Sequence, residues 1–142
     1  MPEAPPQFKY IARLGGLLAL FVLLGYCATA LAGNASWGKA LGLGALRAFF
    51  IMGLSGTVKE GNPLAWWTLL IVLAFNVWKG VNYTADWTTI ATGAGFDDWP
   101  SSIFLGILGA GNWIFGGFMI LLLLSPEVRK YLHLIKEQKR QI

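Results

Sequence analysis

Residues 37–57 read WGKALGLGALRAFFIMGLSGT, and whether they cross a membrane decides the fold. The stretch is long enough to span a hydrocarbon core of about 30 Å at about 1.5 Å per residue. Against that, it carries Lys39 near its start, Arg47 at its centre and glycines at 38, 42, 44, 53 and 56, each of which lowers the tendency of a helix to sit in lipid. The flanking sequence decides. Residues 11–33 are apolar apart from Arg13, and residues 64–83 and 103–124 form two more long apolar runs. If 37–57 lay on the surface, the helix at 64–83 would run the other way. The aspartates at 86, 97 and 98 would then face inward and, with the N-terminus inside, the basic tail outward. With four spans and the N-terminus inside, Lys9, Arg13, Lys59 and the tail share the cytoplasmic side, as the positive-inside rule asks. The expectation is an all-α integral membrane protein. It has four transmembrane helices at 11–33, 37–57, 64–83 and 103–124, plus a C-terminal amphipathic cytoplasmic helix at 126–140.

Composition agrees with that class and excludes others. The 142 residues are 56% apolar and 13% charged, whereas a soluble domain carries about a quarter charged residues. Length admits one domain: a cytoplasmic N-terminal tail at 1–10, the four-helix region, an outer loop at 84–101 and a basic tail at 125–142. Cys27 is the one cysteine, so an intramolecular disulfide and a cysteine metal site are both excluded. His133 is the one histidine, which excludes paired-histidine haem ligation within the chain. No cofactor or metal is expected. Of the 11 basic residues, Arg129, Lys130, Lys136, Lys139 and Arg140 cluster in the tail, where Val128, Tyr131, Leu132 and Ile135 form an apolar face at i, i+3, i+4 and i+7. That pattern fits an anionic membrane surface, not nucleic acid. The closing sequence from Leu124 to Tyr131, LSPEVRKY, is similar to the ends of many small four-helix bacterial membrane proteins, which points to a bacterial inner membrane with both termini cytoplasmic. Helix capping and the positive-inside rule account for it, and it brings no functional residue.

Arg47 is the residue that asks for an explanation. It lies ten residues from Trp37 and from Thr57, about 15 Å from either surface, and an arginine at the midplane costs roughly 2.5–3.5 kcal/mol on insertion scales. No carboxylate of the chain shares its depth. Asn112, Asn76 and Tyr26 lie at nearby heights and can accept its hydrogen bonds without cancelling its charge. Two readings follow. In one, Arg47 donates to these groups and to backbone carbonyls, or snorkels, and simply holds the bundle together. In the other, the missing anion comes from a partner subunit, a lipid headgroup or an anionic substrate, which is the expectation because a midplane charge asks for a counter-charge. Trp113, beside Asn112, is the one tryptophan near a helix centre and reads as a core or subunit contact before a pigment platform.

Other features carry less. Small residues recur at Gly38, Gly42, Gly44 and Ala48 on the second span and at Gly106 and Ala110 on the fourth, with Gly25, Thr29 and Gly33 on the first. They read as helix-packing surfaces. Lys79 is expected to snorkel or to pair with Asp86. Asp97 and Asp98 lack the regular spacing of a calcium loop, and the acceptor patterns at Asn34 and Asn82 abut membrane ends. No nucleophile triad, intramembrane acid pair or HExxH motif is present, so a non-catalytic role is expected. Three roles fit: an accessory or assembly subunit of a larger membrane complex, or a self-associating one; an oligomeric channel or transporter component with an anion-accessible path near Arg47; and a lipid- or pigment-binding module.

Overall fold

The computed structural model describes residues 3–31, 36–87, 89, 92 and 99–142, apart from the side chains of Thr29 and residues 99–101. Four long helices follow one another: α1 (Gln7–Leu31), α2 (Trp37–Thr57), α3 (Pro63–Ala85) and α4 (Trp99–Leu123), with a shorter α5 (Pro126–Gln141) after them. Each of the first four is long and apolar enough to cross a membrane. Within the most apolar window of each, 22–28% is buried inside the chain, so most of the apolar surface faces outward. Phe49, Ile71 and Leu121, each at least two-thirds exposed, are tolerable in hydrocarbon and not in water. The protein is an all-α integral membrane protein with four spans.

Local chemistry fixes the joints. Ser36 caps α2 by accepting from the Lys39 amide at 3.3 Å. Between α2 and α3, a short 3-10 turn (Val58–Glu60) ends at Gly61, whose φ of 79° is a left-handed conformation suited to glycine. Asn62 then accepts from the Leu64 amide at 2.9 Å, and Pro63 begins α3. At the last joint Ser125 stands at the N-cap position of α5, but its hydroxyl donates to the Leu122 carbonyl at 2.7 Å. It thus satisfies the end of α4 and not the start of α5.

The helices form a ring in which α1 packs along both α2 and α4, and α4 packs along α3. The fourth side, α2 against α3, is only loosely closed. The dense core lies at the end of the ring that holds the N-terminus and α5, here called the base. There Ile11, Ile51, Val58, Leu69, Leu123 and Val128 are fully buried. Trp66 Nε1 donates to the Leu123 carbonyl at 3.2 Å across the α3–α4 pair.

Several expectations shift. The N-terminal tail is shorter than 1–10, because α1 begins at Gln7 and Phe8 is buried. The outer connection is shorter than 84–101, because α3 runs to Ala85 and α4 starts at Trp99. Asp97 and Asp98 lie outside the described residues, as do Gly33 and Asn34. The apolar face of α5 does not wait for lipid. Val128 and Ile135 are buried, Tyr131 meets Phe8 edge-on at 5.1 Å, and Lys139 Nζ donates to the Glu60 carbonyl at 2.7 Å. The helix closes the base, and Arg129, Lys130, Lys136, Lys139 and Arg140 stay exposed on its other side.

The packing stripe on α2 is Ala40, Gly44, Ala48, Ile51 and Ser55, all buried. Gly44 lets Tyr26 and Leu23 of α1 approach to 3.1–3.2 Å of where its Cβ would be. Gly38 and Gly42, expected in the same interface, instead point away from the other helices, with nothing within 4 Å among the described residues, because the 3.6-residue turn puts them on the side of the helix away from the buried stripe. Gly106 of α4 rests against Trp87, and Ala110 is half-buried.

Candidate functional site

Arg47 leaves α2 at mid-length and points across the loosely closed side of the ring. Its Nη1 donates to the Tyr26 hydroxyl on α1 at 2.9 Å, and its Nη2 to Asn76 Oδ1 on α3 at 3.1 Å. The guanidinium carbon also lies 5.7 Å from the Tyr26 ring centre and 5.5 Å from that of Phe75. Rings supply partial negative charge to a cation without neutralising it. Phe75 serves two cations at once, because Lys79 Nζ lies 5.3 Å from the same ring.

Asn76 is only 4% exposed. Arginine can only donate, so the bond to Oδ1 fixes the amide, and Nδ2 becomes a buried donor with no partner. A buried N–H without an acceptor among the described residues is costly, and this one is enclosed by protein atoms and not open to the cavity.

Around these groups, in the half of the ring away from the base, is a cavity of about 660 Å³. That is within the range of ligand sites, roughly 300–1,000 Å³. Its polar walls include Tyr26, Arg47, Asn76, Lys79, Asp86 and Asn112. Two of those are cations and one is a carboxylate, so the walls carry an excess of positive charge. A second hollow of about 500 Å³ runs along the α2–α3 side, walled by Leu46, Phe50, Ile71, Val72 and Phe75 with Arg47 at its margin. Arg47 therefore borders both.

No protein-family model, curated protein or solved structure matches the chain. The site has to be interpreted from its own geometry.

Of the residues singled out from sequence, Arg47, Tyr26 and Asn76 come together in hydrogen bonds. Asn112 reaches the cavity wall but not the guanidinium: its Nδ2 donates to the Leu108 carbonyl one turn back, at 2.9 Å. Trp113 is elsewhere, its backbone pressed against Gly80 of α3 and its side chain about a third exposed. Lys79 lies over Phe75, with no ion pair to Asp86 among the described residues. Asn82, the second acceptor-pattern asparagine, donates to the Trp78 carbonyl and lines the cavity.

Sequence reasoning missed the α3 face. Asn76, Lys79, Gly80 and Tyr83 stand at i, i+3, i+4 and i+7, so all four share one side of the helix, and all line the cavity. That period was visible. Among the described residues no group of three or more His, Cys, Asp or Glu gathers, so the polar walls are made of guanidinium, ammonium, amide, phenol and one carboxylate.

Proposed function

We propose that this protein is a non-catalytic membrane protein that takes an anionic ligand into the cavity beside Arg47, as a binding component of a transport or carrier assembly. The observation that supports this reading best is a midplane guanidinium, bonded only to neutral oxygens among the described residues, on the wall of a polar cavity. A carboxylate or phosphate oxygen completes that site, because it accepts from the guanidinium and supplies the counter-charge. The arrangement of basic residues favours an orientation with both termini and the base cytoplasmic, as in a bacterial inner membrane, which opens the cavity toward the outer leaflet.

The test is calorimetric titration of the purified protein in lipid nanodiscs with two small anions, butyrate and methyl phosphate. Wild type binds at least one of them. Arg47→Gln weakens that binding by roughly 10- to 100-fold, the range of a hydrogen bond to a charged group. Wild-type protein that binds neither overturns the reading.

A second reading rests on a separate observation. Gly38 and Gly42 are four residues apart on the outer face of α2 with nothing within 4 Å, a surface on which another transmembrane helix can approach closely. Association with a further subunit, or with a second copy, fits that face. Native extraction followed by mass spectrometry tests it, with Gly38→Leu and Gly42→Leu expected to release whatever is bound.

A further inference from the structure

We infer that the ligand is a single-chain anionic amphiphile, a carboxylate or phosphate monoester on a hydrocarbon chain. Its head sits at Arg47, and its chain lies in the α2–α3 groove. The inference rests on the anion reading above and extends it from a head to a whole molecule.

Four features argue for it. The polar cavity and the apolar groove meet at Arg47, which borders both, so a molecule bound at the guanidinium has a way into the groove. Apart from Arg47, the groove presents only hydrocarbon and aromatic surface, with Leu46, Phe50, Ile71 and Phe75 each at least two-fifths exposed. It offers no hydrogen bond to a polar ligand. The groove also runs along the one side of the ring where neighbouring helices barely touch, so a chain fits without prising apart a packed interface. Finally, the charge is complementary: the head region has a cationic excess, while the tail region has no carboxylate to repel an acid.

A small hydrophilic anion uses the cavity and leaves the groove idle, whereas a neutral lipid uses the groove and leaves Arg47 without its counter-charge. An anionic amphiphile uses both. It also reaches the site sideways from the bilayer, with no water-filled path to the midplane.

The experiment is photolabelling in nanodiscs with three probes of equal chain length that carry a mid-chain diazirine: a fatty acid, an alkyl phosphate and an alkyl alcohol. Labelled residues are mapped by mass spectrometry. The expected result is labelling at Phe50, Ile71 and Val72 by at least one of the charged probes, roughly 10-fold above the alcohol. The fatty acid and the phosphate arms identify the head. Arg47→Gln reduces the labelling to the alcohol level. Ile71→Trp, which fills the groove from a lipid-exposed position, blocks it while leaving butyrate or methyl phosphate binding intact.

Labelling equal for acid, phosphate and alcohol, or unchanged in Arg47→Gln, means that the groove holds ordinary bilayer chains, and the inference is overturned. Small-anion binding without groove labelling overturns the inference and leaves the anion reading standing. Loss of both in wild type overturns the two together. Circular dichroism and size-exclusion profiles of both variants show that each is folded when its result is read.

Discussion

Gly80 marks a close approach of α3 to the backbone of α4. A Cβ there would lie 2.9 Å from the backbone nitrogen of Trp113, an atom that cannot swing aside. Gly80→Ala is expected to destabilise the bundle by about 1–3 kcal/mol, the cost of forcing packed elements apart. Gly42→Ala adds its methyl to space open among the described residues, and removing glycine from a helix interior is expected to be neutral or to stabilise by up to about 1 kcal/mol. Denaturant titration of the two variants in mixed micelles checks the contrast. Arg47→Gln gives a different signature. It relieves a midplane charge costing roughly 2.5–3.5 kcal/mol and forfeits two charged hydrogen bonds of similar total size, so thermal stability changes little while binding falls. The residues around Arg47 were legible to the extent that helical rise gives height. Tyr26 and Asn76 were found because they lie at the right depth. Asn112 lies at that depth too, but depth says nothing of which way a side chain turns, and the Leu108 carbonyl of its own helix takes its amide. Phe75 was missed because a phenyl ring gives no polar signal, although here it faces two cations.

The α2–α3 joint followed from capping chemistry, and other boundaries and the helix surroundings did not. The turn from Val58 to Pro63 was readable because Gly61, Asn62 and Pro63 each have one strong conformational preference. The i, i+3, i+4, i+7 pattern of α5 correctly announced an apolar face, yet the same pattern serves a lipid surface and a protein surface equally, so only the structure shows Val128 and Ile135 against the base. This makes α5 a structural element of the fold. Val128→Asp places a carboxylate where no water reaches, and the expected outcome is release of the helix, with trypsin cleavage at Lys130 and Lys136 accelerated at least about tenfold. Lys139→Gln removes an exposed bond to the Glu60 carbonyl and is expected to change stability by no more than about 0.5 kcal/mol. Gel-based proteolysis time courses distinguish the two variants.

At the scale of the whole molecule, three spans were legible in hydropathy because each run is too long and too apolar for any other use, and the span at 37–57 followed from the charges on either side of it. The order around the ring was not, since small residues fall on several faces of α1, α2 and α4 and sequence cannot say which faces meet. Orientation is a matter of charge. With Cys27 replaced by Ala, single cysteines at Ser125 and Ser36 are expected to react with an impermeant maleimide from opposite sides of the membrane, Ser125→Cys from the cytoplasm. The uneven distribution of packing has a mechanical consequence. Near the base the interior is closed by fully buried Ile11, Ile51, Leu69 and Leu123, while the other half encloses about 660 Å³ of space. Close-packed protein interiors compress very little, and a hollow one yields. The two leaflets therefore press on materials of different stiffness. Crowding the leaflet around the base leaves the molecule's volume unchanged, whereas crowding the opposite leaflet squeezes α2 toward α3 and narrows the space beside Arg47.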